Sequence, residues 1–249
     1  VTVAGSGTDF ATMAAKVGVA LRDSSIAGRS LTSVDVDARL AAGAVRFEAR
    51  TATGAGSAEA RGTVTPAAER YDVTVVADRL DPAPLAADPA LAGSLTGNLA
   101  VRGTGFAPAT ADAAVTLDLG PSRIGDLPIR SARAAATVRS GRLAVERLVV
   151  DAPALAAEAS GELGIAGDPA SASGRLRYDV QARDLRALGS VAGAPDAAGA
   201  LGATGTASGS LAALDVDAVV RGRDLAYGAT RLGTLTATVG ARGIGAAGG

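Results

Sequence analysis

The sequence predicts an all-β protein, a long curved antiparallel sheet folded into an open trough and built from repeats of about 100 residues, with minor helix. Three observations lead to this prediction. Apolar and polar residues alternate with a period of two, turn signals recur at roughly 8–12 residues, and several short segments return about a hundred residues later. Together they describe a sheet that grows by adding similar strands.

The alternation is clearest in the segment 33–40, where apolar residues at even positions are separated by Ser33, Asp35, Asp37 and Arg39. A strand with this pattern has one apolar and one solvated face. Similar alternation recurs in four further segments. We take their apolar positions as candidate groove-lining residues: Val34, Val36, Ala38, Leu40, Leu99, Val101, Val115, Leu117, Leu119, Leu176, Tyr178, Val180, Val216, Ala218 and Val220.

Helix is predicted in only two places. One is Asp184 to Leu188, with Asp184 as N-cap and Gly189 as the stop signal, and the other is the proline-interrupted stretch Pro82 to Leu91. Each follows a Tyr-Asp-Val strand, so we expect a helical turn to belong to the repeat.

The repeats are marked by glycines and by a short aromatic motif. Gly28, Gly125 and Gly228 occupy equivalent positions, and Tyr71-Asp72-Val73 returns as Tyr178-Asp179-Val180. We therefore divide the chain into the end of a preceding repeat (1–25), a first repeat (26–123), a second repeat (124–224) and the start of a truncated third (225–249). On this division the chain is an internal piece of a longer array.

A sheet with one apolar face must bury that face in a sandwich, in a closed barrel or in a trough. Sandwiches usually place bulky aromatic residues between their sheets, and this chain has no Trp, three Phe and three Tyr. Small residues favour a trough whose face is filled by something else. Roughly 18–20 strands at ~4.8 Å each would give a groove on the order of 90 Å long.

Composition excludes most enzyme classes. The chain has no His and no Cys, so catalytic triads and zinc sites that need imidazole or thiolate are impossible, and the lone Lys16 is not in a phosphate-binding loop. We expect no enzyme activity, no catalytic residue, no cofactor and no metal. The pairs Asp35/Asp37 and Asp215/Asp217 are interpreted as solvated surface, because the closing Glu of a calcium loop is absent.

The charge balance argues against nucleic acid as a partner. The net charge is −1 and only six residues are aromatic, whereas nucleic-acid binding favours a basic face with stacking rings. No apolar run approaches the roughly 20 residues that span a bilayer.

The segment Gly93–Gly105 reads G-S-L-T-G-N-L-A-V-R-G-T-G, and Ala157–Gly164 reads A-E-A-S-G-E-L-G. This punctuation of small residues resembles the AsmA-like family, in particular its TamB branch, the translocation and assembly module inner-membrane subunits. The resemblance spans roughly residues 26 to 249. It implies a taco-shaped sheet in the periplasm, anchored in the inner membrane, whose trough carries phospholipid acyl chains toward the outer membrane and supports outer-membrane assembly. The family's membrane anchor and its region for an outer-membrane barrel protein are absent from this sequence.

Two other functions stay open. A structural β-repeat spacer would close its apolar face by its own packing, and a secreted adhesin or autotransporter passenger would show shorter repeats of roughly 20–30 residues. We expect Tyr71 and Tyr178 to fill equivalent bends near the helical turns rather than to contact a lipid headgroup.

Overall fold

A computed structural model describes residues 1–6, 12–26, 29–53, 56–83, 92–165, 174–192, 194 and 196–244. Within these ranges the chain forms seventeen strands, one α-helix and one 3-10 turn at Pro66–Ala68. The strands are β1 Thr2–Ser6, β2 Ala14–Ile26, β3 Arg29–Ala41, β4 Ala44–Thr53, β5 Gly56–Thr65, β6 Arg70–Leu80, β7 Gly93–Thr104, β8 Asp112–Leu119, β9 Ser122–Ile124, β10 Leu127–Ile129, β11 Ser131–Arg139, β12 Arg142–Asp151, β13 Leu155–Gly164, β14 Arg175–Ala182, β15 Ala197–Ser210, β16 Ala213–Tyr227 and β17 Thr230–Ile244. The helix, α1, is Leu185–Ala192.

The strands form one antiparallel sheet. Each strand from β1 to β8 pairs with the next, β8 pairs with β11, and the order continues without crossover to β17. The short strands β9 and β10 form a hairpin that attaches to the start of β7. The sheet is not closed into a barrel, which confirms the prediction of an all-β open trough.

Fifteen of the seventeen described strands lie side by side in one line, because β9 and β10 stand outside it. At ~4.8 Å per strand this line is roughly 70 Å long, compared with the 18–20 strands and about 90 Å expected from the sequence.

The two faces of the sheet differ in exposure. Along β6 the residues Tyr71, Val73, Val75 and Ala77 are half-buried, while the residues between them are exposed. Strand β14 repeats the pattern, with Leu176 half-buried between exposed arginines. The apolar face of these strands is thus less exposed than the polar face, as expected of the inside of a trough.

One long edge of the trough, which we call the covered rim, is closed by the β9–β10 hairpin and by α1. The helix lies against β15 and β10. Here the chain buries most of its larger core side chains, including Leu80, Leu127, Ile129 and Leu225, each 7–8% exposed. Elsewhere the largest buried side chain among the described residues is Leu163.

The helix prediction was correct at its start and wrong at its end. Asp184 Oδ1 accepts hydrogen bonds from the backbone N–H groups of Arg186 at 3.0 Å and Ala187 at 3.4 Å, as expected of an N-cap. Gly189 does not stop the helix, which continues to Ala192. Gly189 does not adopt the left-handed conformation that ends a helix, and it is buried. Of the second predicted helix, residues 84–91 lie outside the described ranges.

The predicted repeat boundaries produce no break in the sheet. The boundaries at 25/26, 123/124 and 224/225 fall inside β2, β9 and β16 respectively. The division into repeats remains a prediction from the sequence.

Candidate functional site

All fifteen predicted lining residues lie on one face of the sheet, which we call the apolar face. Cross-strand register decides this, because directly paired residues in antiparallel strands point to the same side. Fourteen of them fall in three neighbouring rows that cross the sheet, and Leu40 lies one step further along β3. All are half-buried except Ala218, which is buried.

One of the two outer rows shows how continuous this face is. It can be followed through paired residues from β2 to β17: Val17, Ala38, Phe47, Gly62, Val73, Val101, Val115, Ala136, Val145, Gly161, Leu176, Ala207, Val216 and Ala241. The other two rows pass through Leu117 and through Leu119, and over the same strands none of the three rows contains a charged residue. The apolar strip is therefore unbroken across the described strands.

A bulge in β12 preserves the strip. The pairing of β11 and β12 shifts between Ala135 and Ala136, so that Glu146 is an extra residue beside Arg147. Both charged residues are exposed on the opposite face. The extra residue lets Val145 and Leu148 share the apolar face, although their odd and even positions would otherwise place them on opposite sides.

None of the described residues forms a second layer over the three rows. No large side chain in the described residues is fully buried, and the residues of the rows remain half-buried for the most part. A packed sandwich would instead bury large side chains between its sheets. The described residues form a single sheet with an accessible apolar groove, and among them the β9–β10 hairpin and α1 close it along the covered rim.

Glycines in the floor of the groove leave room for aromatic rings. A Cβ on Gly62 would lie 2.9 Å from the Phe47 ring, and one on Gly205 would lie 2.7 Å from the Tyr178 hydroxyl. The Tyr178 ring therefore lies over Gly205, and its hydroxyl is 3.5 Å from the Asp217 carbonyl oxygen. The expected bend near a helical turn was wrong for Tyr178, which is a mid-strand residue on the groove floor.

Tyr71 lies near the rim opposite the covered one, which we call the open rim. Its ring stacks on Phe106 with centroids 5.9 Å apart, next to the 3-10 turn at Pro66–Ala68. The Phe106 side chain is 56% exposed, so this pair presents an aromatic surface at the open rim. Tyr71 is therefore close to the 3-10 turn that precedes β6, whereas the helical turn expected from the sequence, Pro82 to Leu91, follows the other end of β6 and lies largely outside the described residues.

The apolar face extends to β17, the last described strand, where its side chains are exposed. On β17, Leu235 is 43% exposed and Val239 is 44% exposed. β17 pairs with β16 on one side, and no described strand pairs with its other side. Among positions 232–241 of this strand there is no charged residue and no proline.

The opposite face carries ion pairs between neighbouring strands. Arg22 lies 2.8 Å from Asp35 and Arg242 lies 2.9 Å from Asp217, so these aspartates belong to the solvated surface as predicted. The hydrogen bond to Asp217 raises the pKa of Arg242. Within the described residues there is no cluster of acidic side chains suited to a metal ion.

The second polar-face cluster lies on β4 and β5. Arg50 forms ion pairs with Glu48 and Glu59, and Arg61 pairs with the same two carboxylates. The negative charge of Glu48 raises the pKa of Arg50. These side chains are largely exposed, so the pairs contribute little stability and mainly keep this face in water.

The sequence predicted about a third of the positions in the three rows. The alternation within single strands did not identify Val17, Phe47, Val73, Leu148 and their neighbours. The signal that places them is the register between strands, which turns scattered apolar residues into rows. In β6 the alternation of Tyr71 and Val73 was visible in the sequence and could have been used.

In the part of the chain that the structure describes, no helix is both long and apolar enough to cross a membrane. Comparisons of the chain with protein-family models, with curated proteins and with solved structures find no match.

Proposed function

We propose that the apolar face is a groove that binds phospholipid acyl chains and lets them move along the sheet. One observation carries the proposal: three uncharged rows run side by side from β2 to β17, half-buried and with no covering layer among the described residues. A surface of this size left in water costs free energy, and exposed apolar patches usually mark a binding site. A lipid chain supplies the missing apolar layer.

The energetics require continuity. Burying hydrocarbon is worth about 0.8 kcal/mol per methylene, so moving a ~16-carbon chain through water would cost on the order of 12 kcal/mol. A groove that keeps the chain in apolar contact at every step removes most of that barrier. The pairing of the strands helps, because it satisfies the backbone N–H and C=O groups of the floor and leaves no strong polar site to trap the chain.

The cellular setting is part of the proposal and derives from the resemblance in the sequence. We place the groove in the periplasm, between the inner and outer membranes, in a protein that is anchored in the inner membrane and acts with an outer-membrane barrel protein. The neutral, histidine-free and cysteine-free chain is compatible with this role, since the groove needs only shape and apolar contact.

A structural spacer is the second candidate, and the covered rim favours it locally. There the chain closes its own face with the β9–β10 hairpin and α1, burying Leu127 and Ile129. A spacer would extend that closure along the whole sheet.

Native mass spectrometry of the purified chain separates the two candidates. After incubation with phosphatidylglycerol, the conduit predicts adducts at the mass of one or more phospholipids, whereas glycerophosphoglycerol, which has the headgroup without acyl chains, should give none. A chain that retains no phospholipid, or that binds both compounds equally, would contradict an acyl-chain groove and favour the spacer.

A further inference from the structure

Three arginines line a depression on the polar face, which is the side of the sheet opposite the groove. Arg183 follows β14, and Arg221 and Arg223 lie on β16. Between them β15 contributes Ala200, Gly202 and Thr204, and the Gln181 side chain lies over Gly202. The depression has a volume of about 390 Å³.

Register explains why the arginines face each other. Arg221 pairs with Gly202, and Arg223 pairs with Ala200, so both arginines flank the small residues from one side. Arg183 comes directly after the last paired residue of β14 and flanks them from the other side. Arg221 and Arg223 are two residues apart on one strand, which places their Cα atoms roughly 7 Å apart.

No carboxylate is among the described residues that line this depression. Some arginines elsewhere on the polar face lie beside acids, as Arg133 lies 3.4 Å from Asp118. Within the described residues, Arg221 and Arg223 have neither an ion pair nor a side-chain hydrogen bond. Arg183 donates a hydrogen bond to the Ala152 carbonyl oxygen at 3.1 Å and is 3.7 Å from Asp151.

The other charged groups nearby leave the net charge around the depression positive. Asp179 accepts a hydrogen bond from Gln181 Nε2 at 2.8 Å, and Asp184 caps α1. A neighbouring depression adds Arg186 and Arg231 as well as Asp184 and Asp224. Arg221 and Arg223, which have no counter-charge among the described residues, lie on the same side of one strand and repel each other, and a bound anion would offset that cost.

We propose that Arg183, Arg221 and Arg223 form a binding site for a phosphate group, carried either by a soluble phosphate compound or by a lipid headgroup. The planar guanidinium fork matches two oxygens of a phosphate, and several such groups around one anion give short, charge-assisted hydrogen bonds. Thr204 and Thr236 line the same depression and add hydroxyl donors. The site lies on the face opposite the groove, so it does not depend on the function proposed above.

The test uses the whole chain and inorganic phosphate, titrated by isothermal calorimetry at constant ionic strength. The double substitution Arg221→Gln with Arg223→Gln should weaken phosphate binding at least tenfold. Arg133→Gln, which removes an arginine of the same face that is paired with Asp118, should leave it unchanged. A wild-type chain with no saturable phosphate binding, or a double variant that binds like wild type, would overturn the proposal.

A vesicle arm then identifies the source of the phosphate. Wild type is mixed with phosphatidylcholine vesicles with and without phosphatidic acid, and sedimentation measures the bound fraction. Binding that needs phosphatidic acid and is lost in the double variant assigns a lipid headgroup, while phosphate binding without vesicle binding assigns a soluble compound. Should the glutamine variant unfold, Arg221→Lys with Arg223→Lys keeps the charge but not the fork, and its phosphate affinity should still fall.

Discussion

Placing a charge in the groove is the sharpest perturbation that the structure offers, and Leu117 is the position for it. Leu117 lies at the centre of the sheet, paired with Leu99 on β7 and Ala134 on β11. We predict that Leu117→Arg abolishes acyl-chain binding and passage. An unpaired charge facing a hydrocarbon chain costs several kcal/mol, and about 3 kcal/mol already corresponds to a loss of more than a hundredfold.

The substitution should leave the fold intact. Leu117 is only half-buried, so losing its apolar contacts should cost about 1 kcal/mol of unfolding free energy, less than for a fully buried Leu. The guanidinium can also turn toward water at the open groove. Thermal unfolding followed by circular dichroism checks this expectation.

The neighbouring residue provides a matched control. Thr116 lies on the same strand but on the polar face, and it is exposed. Thr116→Arg should bind a phospholipid with a fluorescent acyl chain as wild type does, and it should transfer that lipid between donor and acceptor vesicles at the wild-type rate. Equal binding and transfer by the Leu117 and Thr116 variants would refute the reasoning.

Three further predictions concern the fold. In Gly205→Ala the new Cβ would meet the Asp217 carbonyl oxygen at 2.0 Å, so the free energy of unfolding should fall by about 1–3 kcal/mol. Gly18→Ala, whose new Cβ would have nothing nearer than 3.6 Å, should be neutral or slightly stabilising. Equal destabilisation by the two substitutions would contradict this account. Because no described strand pairs with the outer side of β17, the chain should self-associate, and sedimentation should show that this rises with concentration. Thr238→Lys should suppress the association. A monomer at all concentrations would count against the open edge. Asp184→Ala should cost about 1 kcal/mol and speed hydrogen exchange in the first turn of α1, whereas Asp184→Asn should preserve protection.

Period-two alternation was sufficient to predict the faces of the strands that carry Val, Leu and charged residues. In β3, β8, β14 and β16 the apolar residues proposed from the sequence all point into the groove. The physical reason is simple. Only one register puts every charged side chain of such a strand in water, and a shift by one residue would bury them all.

The same reasoning fails where both faces of a strand are small. β15 reads A-A-G-A-L-G-A-T-G-T-A-S-G-S, and neither its faces nor its length can be predicted from hydropathy. Its position follows from its neighbours, since it fills the gap between β14 and β16. The sequence also does not show that β9 and β10 leave the line of strands.

The covered rim and the arginine site also depend on contacts that are distant in sequence. Gly189 resembled a helix stop in the sequence, but in the structure it is buried and the helix continues past it. Arg183 and Arg223 are forty residues apart, and only the register of β14, β15 and β16 brings them together. Local sequence patterns carry no information about contacts between residues that are distant in sequence.

Photo-crosslinking tests most directly whether acyl chains lie on the apolar face. Benzoylphenylalanine is placed singly at Leu117 and Val180, which face the groove, and at their neighbours Thr116 and Asp179, which face the other way. The chain is irradiated with phospholipid, and adducts are identified by mass spectrometry. The account predicts lipid adducts at Leu117 and Val180 and none at Thr116 and Asp179; adducts of equal yield on both faces, or none on the apolar face, would contradict it.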